Sequence, residues 1–170
     1  MALWRISRHR DLSGMGGLKA AGRWHHAGHL IVYLTETPAS ALPEVYVHTS
    51  ANDVPPEFTL LKIEGPDLEV PSIKADELPE DWLTQLDVTR DLGTAWLEKN
   101  ESVLLQVSRV IVPETLNFLF NPSHKQDAKF RIAEYSHIRS TYASKRRRSL
   151  LGDDYGRHLR QTCPIQDSTG

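Results

Sequence analysis

The stretch His29-Leu30-Ile31-Val32-Tyr33-Leu34-Thr35, closed by Thr37-Pro38, decides the reading of the fold. Its branched and aromatic residues predict a β-strand. Alternation places Ile31 and Tyr33 on one face and Leu30, Val32 and Leu34 on the other. Thr37-Pro38 is a helix-start signal. Residues 40–50 then read as a helix with apolar Leu42, Val45 and Tyr46.

Upstream, residues 3–7 read as a short strand with Trp4 and Ile6 on one face, and residues 11–22 as a loop rich in Gly and Ser. Downstream, residues 58–64 read as a half-buried strand and residues 67–81, rich in Pro and acid, as loop. Residues 86–100 predict a helix, with Asp87 and Thr89 as caps and Leu92, Trp96 and Leu97 at helical spacing. Residues 102–107 and 110–112 are β-like, residues 117–120 form an apolar run closed by Asn121-Pro122, and residues 130–135 suit a last strand. Many short strands interrupted by a few helices predict an α+β domain with a curved, mostly antiparallel sheet.

A chain of 170 residues favours one domain, large enough to bury a core without disulfides or metals. The single cysteine, Cys163, excludes an internal disulfide and a cysteine-cluster zinc site. No apolar run reaches the ~18–20 residues of a membrane helix, and the first ten residues lack a secretory apolar region. The expected location is therefore the cytoplasm. The net charge of −2 gives no reason to expect nucleic-acid or membrane binding by the whole chain. That charge is unevenly spread: residues 139–170 carry +4 and residues 1–138 carry −6. This divides the chain into a folded domain, 1–138, and a basic, polar extension, 139–170. The run Lys145-Arg146-Arg147-Arg148 reads as a solvated tail, with a non-enzymatic DNA-binding module as the rival.

Three residues could carry chemistry. Arg23, in Gly22-Arg23-Trp24 after the glycine-rich loop, suits phosphate, because a guanidinium can bind two oxygens at once. Tyr33 offers a ring for stacking and a hydroxyl as a polar handle. Glu44, among apolar residues near a helix start, is a candidate catalytic carboxylate. Taken singly, each is better read as structural: a surface Arg beside a packed Trp, a core Tyr with a satisfied hydroxyl, and an ordinary helix Glu. His25, His26 and His29 cluster, but no cysteine or His-Glu-x-x-His pattern joins them, so no metal is expected. Gly14-Met15-Gly16-Gly17 falls short of both a P-loop and a dinucleotide fingerprint, and no Gly-x-Ser-x-Gly elbow is present.

In order along the chain, Trp4-Arg5-Ile6, Gly22-Arg23-Trp24, Ile31-Val32-Tyr33-Leu34 and the Glu44 segment with His48 resemble the RES family, the toxin half of RES–Xre toxin–antitoxin pairs. Leu78-Pro79-Glu80-Asp81-Trp82, Leu92-Gly93-Thr94-Ala95-Trp96-Leu97 and Leu105-Gln106-Val107-Ser108 continue the resemblance. Ile111-Val112-Pro113-Glu114 and the segment from Asn117 through Asn121-Pro122-Ser123-His124 complete it, so that it covers residues 3–135. The resemblance implies a fold like that of diphtheria-toxin-type ADP-ribosyltransferases. It also implies cleavage of the nicotinamide–ribose bond of NAD, by hydrolysis or phosphorolysis, with ADP-ribosylation of a protein as the alternative. NAD is then a substrate. The implied catalytic residues are Glu44, Arg23 and Tyr33, and the implied NAD-binding residues are Arg5, Arg23, Tyr33 and Ser108. The implied partner is an Xre-type helix-turn-helix antitoxin, through which alone the toxin would meet DNA.

Three positions depart from the family pattern. Ala21 stands where a glycine is usual, His25 follows Trp24 where an Asn is usual, and Val107 precedes Ser108 where a Pro is usual. The chain after Tyr135 also lacks the usual Asp-Pro-Arg-Leu-like ending.

Overall fold

A computed structural model describes residues 1–47, 57–108 and 115–139, with side chains over 1–42, 57–108 and 115–138. The alternation in the opening strand sorts its residues between two cores. Val32 and Leu34, on β2 (Val32–Thr35), join Leu3, Leu61, Ile63, Phe118 and Phe120 in one core. Ile31 joins Trp24, Trp82, Trp96, Leu105, Val107 and Leu119 in the other, with Tyr33 packed against its margin. Each fully buried aliphatic side chain stabilises the fold by about 1.5–3 kcal/mol.

Around β2 stand β1 (Ala2–Ser7), β3 (Glu57–Glu64), β4 (Ser72–Ile73), β5 (Leu104–Ser108), β6 (Leu116–Phe120) and β7 (Arg131–Arg139). They form one sheet in the order β4-β5-β6-β2-β1-β3-β7. Every neighbouring pair is antiparallel except β4 with β5. The expected α+β class and mostly antiparallel sheet are thus present. The pairing is uneven. β1 runs against β3 from Ala2↔Glu64 to Ser7↔Thr59, whereas β1 meets β2 only at Trp4↔Thr35. The Thr35 hydroxyl donates to the Trp4 carbonyl at 3.3 Å across that junction. Two lobes, β4-β5-β6-β2 and β1-β3-β7, are therefore joined at one residue pair.

Helix α1 is a single turn (Gly16–Lys19) inside the expected glycine-rich loop. Helix α2 spans Pro38–Val47 and packs against β1 and β2. The Thr37 hydroxyl accepts the Ser40 N–H at 3.1 Å, capping α2 with Pro38 at its first position. Helix α3 spans Leu86–Lys99 and ends at Asn100, whose left-handed φ of 51° is a conformation Asn tolerates.

Several boundaries differ from the sequence reading. β7 continues to Arg139 because β3 offers a partner along its whole length. Residues 67–81 contain β4, which pairs with β5, and a 3-10 turn over Ala75–Glu77. Residues 110–112, His48 and the basic run 145–148 lie outside the described residues.

The larger correction concerns α3. Leu92 is 41% exposed, and the buried stripe is Thr89, Gly93, Thr94, Trp96 and Leu97. Thr89 does not cap the helix; its hydroxyl donates to the carbonyls of Arg23 at 2.7 Å and Leu86 at 3.0 Å. Thr89, Gly93 and Thr94 in this stripe are small because that part of it rests on polypeptide backbone, while Trp96 and Leu97 enter the second core. A Cβ on Gly93 would strike the Trp24 carbonyl.

Gly93→Ala tests this seating. Alanine gains about 1 kcal/mol in a helix interior. Overpacking costs about 1–3 kcal/mol and is worst where the obstacle is backbone. The urea midpoint should therefore fall with the slope unchanged. An equal or higher midpoint would contradict the close approach of α3 to Trp24.

Candidate functional site

Residues 22–26 form a turn that α3 grips from one side. Arg90 Nε donates to the Gly22 carbonyl at 2.9 Å and Thr89 Oγ1 to the Arg23 carbonyl at 2.7 Å. Gly93 lies against the Trp24 carbonyl, and Thr94 Oγ1 accepts the His26 N–H at 3.0 Å. His26 Nε2 also meets Asp91 at 2.7 Å, although both groups are exposed and the pair adds little. Four consecutive peptide units are thereby placed against a rigid helix.

β2 holds the turn from the other side. The Tyr33 hydroxyl accepts the Trp24 N–H at 3.1 Å and lies 2.9 Å from His25 Nδ1. The Gly22 N–H is shared between the His25 carbonyl and His25 Nδ1, each at 3.1 Å. Because Nδ1 accepts there, the ring proton sits on Nε2 and the Tyr33 phenol donates to Nδ1. A Cβ on Gly22 would strike the Tyr33 hydroxyl and the His25 ring, so only glycine fits. Ala21 is exposed and its methyl meets solvent.

His25 is 3% exposed. Burial pulls its imidazole below the ordinary value of 6.5, and the nearby His29, Arg90 and His26 push the same way. The Ala20 carbonyl opposes the shift, although Nε2 makes no hydrogen bond of good geometry.

The turn presents Arg23 as a partly buried side chain whose Nη2 donates to the Leu83 carbonyl at 3.1 Å. Its guanidinium carbon is 5.9 Å from the centre of the buried Trp82 ring. A cation and a phenol ring, Arg23 and Tyr33, are therefore mounted on one hydrogen-bonded frame.

The other sequence candidates stand differently. Glu44 falls within α2, the helix that packs on β1 and β2, but its side chain lies outside the described residues. Arg5 follows Trp4 on β1, so it projects from the face opposite to Trp4, Thr35 and Tyr33. Its Nη1 donates to the Asp11 carbonyl at 3.4 Å. Burial lowers the guanidinium pKa from its usual value, with Asp11 opposing. Ser108 ends β5 opposite Leu116 and shares the Arg5 face of the sheet. The structure thus brings Arg23 and Tyr33 together and places Arg5 and Ser108 across the sheet from Tyr33.

Sequence reasoning missed Arg90, the roles of Thr89 and Thr94 toward the turn, and the bridging role of His25. The signal available was polar residues at helical spacing within 89–97, which reads as a solvated face until a partner backbone is known. Among the described residues, no group of three or more metal-ligating side chains converges. Also among the described residues, no helix is long and apolar enough to cross a membrane.

Residues 2–142 match the RES domain. The chain is similar to Toxin Res of Pseudomonas putida, 42% identical over 140 residues, which span 80% of this chain and 96% of that protein. It is also similar to the Prs ADP-ribosylating toxin of a Sphingobium species, 35% identical over 139 residues, spanning 75% of this chain and 86% of that protein. In fold it matches a chain from the crystal structure of the M. tuberculosis MbcT–MbcA toxin–antitoxin complex, with a TM-score of 0.64. That match has 17% identity and covers 86% of this chain and 87% of the other.

Two measurements check the frame. Thr89→Val keeps the side-chain shape and removes the hydroxyl that serves the Arg23 carbonyl. It should cost about 1–3 kcal/mol in denaturant unfolding, and undiminished stability would remove the Thr89 clasp. His25 supplies a pH dependence. Its folded pKa lies below the unfolded value of 6.5, so between the two the unfolded chain holds more protons. The associated stability is full above 6.5 and is lost as pH falls through the folded value. Comparing wild type with His25→Asn across that window should show the acid-side loss shrink in the variant; parallel curves would refute the assignment.

Proposed function

This chain belongs to the RES domain family, and we propose that it is the toxin of a toxin–antitoxin pair that breaks the nicotinamide–ribose bond of NAD. The observation that carries this reading is the frame holding Arg23 beside Tyr33, a cation and a ring locked through the bond from Trp24 N–H to the Tyr33 hydroxyl. The names of the relatives, Toxin Res and Prs ADP-ribosylating toxin, support it.

The chemistry suits such a frame. When the C–N glycosidic bond breaks, its electron pair moves to the pyridinium nitrogen and nicotinamide leaves neutral, so no general acid is needed. The ribose carbon gains positive charge, and preorganised opposite charge stabilises it best. In this proposal Glu44 faces the ribose hydroxyls and that developing charge. Arg23 holds phosphate oxygens, while Tyr33 lines the nicotinamide. Arg5 and Ser108 would contact the ribose or phosphate side of NAD. Both project from the sheet face opposite to Tyr33. Water or phosphate then takes the ribose carbon, with depletion of cellular NAD as the outcome.

A second reading is transfer of ADP-ribose to a cellular protein, favoured by the similarity to the Prs ADP-ribosylating toxin. The partner in either case is an antitoxin of Xre type, with a helix-turn-helix domain for DNA and a segment that blocks the cleft. The match to a chain from a toxin–antitoxin complex supports an antitoxin partner.

Purified protein incubated with NAD, with and without phosphate, should release nicotinamide measurable by chromatography. Glu44→Gln should lower the rate by about 10²–10³ while leaving the circular dichroism spectrum unchanged. Phosphate dependence would identify phosphorolysis, and radiolabel retained on a protein band would identify ADP-ribosyl transfer. Normal turnover by Glu44→Gln would remove that residue from the mechanism.

A further inference from the structure

His25 occupies a position the proposed reaction does not use, yet it touches both Gly22, where the Arg23 turn begins, and Tyr33. Its Nδ1 lies 2.9 Å from the Tyr33 hydroxyl and 3.1 Å from the Gly22 nitrogen. Its ring is tilted 54° to the Tyr33 ring with centres 5.7 Å apart. On its far side is Gly17 of α1, where a Cβ would come within 3.0 Å of Nε2. The ring is 3% exposed and fills its space, so it does not reach a ligand itself.

We propose that His25 is a positioning residue: by accepting the Tyr33 hydroxyl proton and part of the Gly22 N–H at Nδ1, its neutral ring fixes the Tyr33 ring and the Arg23 turn in one arrangement. The phenol has one proton. It accepts from Trp24 N–H, so its donation to Nδ1 closes the ring of bonds from Gly22 through His25 and Tyr33 to Trp24. A protonated imidazole has no lone pair at Nδ1. Its Nδ1–H would oppose the Gly22 N–H, leaving that group only the His25 carbonyl, and would reverse the bond to the phenol, whose own proton must then turn away. The Tyr33 hydroxyl would then lose the orientation that this bond gives it, and Gly22 one of its two acceptors, while the bonds from α3 to the turn remain.

The surroundings favour the neutral ring. α3 contributes Arg90, which is bound to the Gly22 carbonyl, and the same loop contributes His26 and His29. β2 contributes only Tyr33, and α1 contributes Gly17, which has no side chain. His26 and His29 are paired outward with Asp91 at 2.7 Å and Glu98 at 3.4 Å. No described carboxylate is bonded to His25 to favour its cation. An Asn side chain can place a carbonyl oxygen where Nδ1 lies, so it would keep the acceptor while losing the ability to titrate.

The inference rests on the NAD-cleaving reading only for its effect on rate, so two readouts are needed. The first uses protein with 13C-labelled tyrosine and no NAD, with Tyr33→Phe identifying the Tyr33 signal. In wild type that signal should move as acid protonates His25, and in His25→Asn it should stay still. The second is nicotinamide release against pH. Wild type should lose kcat on the acid side, and His25→Asn should keep most of the release at alkaline pH without the His25-linked acid loss. His25→Ala should lose about 10–100-fold in kcat, with KM for NAD changed less, as expected when a reacting group is misplaced. If His25→Ala does not fold, the Asn variant still decides. An unchanged acid loss in His25→Asn, or a Tyr33 signal indifferent to His25, would overturn the proposal. No nicotinamide release by wild type at any pH would instead count against the proposed reaction, because the tyrosine signal is read without NAD.

Discussion

Helix α3 holds residues 22–26 by their backbone, and the rest of the candidate site depends on that grip. Arg90, Thr89 and Thr94 serve three polar groups of the turn, and Gly93 lets the helix come close to the Trp24 carbonyl. A loop with no such partner would have to satisfy its peptide groups with water, and its side chains would lose their fixed direction. Here Trp24 is 2% exposed, and its indole packs 6.2 Å from Trp82 in the second core. The site therefore sits on packed structure and not on a free loop.

The division of the sheet matters as much. β1–β3–β7 and β5–β6–β2 are each held by ladders of four or more residue pairs, with one register shift between β3 and β7 at Lys62/Ile63, while β1 and β2 share only Trp4↔Thr35. A sheet cannot be continuous and also open at that seam. The fold places Arg5 immediately beside the single joining pair and Tyr33 two residues from it. Helix α2, which carries Glu44, starts just after β2 and packs on both β1 and β2. The seam is thus the place where groups from both lobes approach one another.

The segment Asn121-Pro122-Ser123-His124, prominent in the sequence, has a structural use. Asn121 is 1% exposed; its amide donates to the Asn100 side chain at 2.9 Å and its oxygen accepts the Ser123 N–H at 2.9 Å. It ties the end of β6 to the residue that terminates α3. In this way the helix that grips the turn is itself anchored at its far end. His124 is likewise buried, and its Nδ1 accepts the Gln126 N–H at 3.2 Å.

The α+β class, most strands and the two faces of β2 were legible from residue order, because alternation over a short strand is a local property. Gly22-Arg23-Trp24 and Tyr33 were legible as candidates through their ordered resemblance to one family. The meaning of residues 89–94 was not. Leu92 looked like core and Thr89 like a cap, because periodicity reports which positions share a face and says nothing about what that face meets. Only the packed chain sets α3 on a backbone, where hydroxyls and a glycine fit and a leucine does not. The same holds for His25. As a letter it was a departure from the family pattern, and only the meeting of its Nδ1 with the Tyr33 hydroxyl, from a strand eight residues on, gives it a bond to make. Local order wrote the strands and named the candidates; long-range contact decided which polar groups became partners.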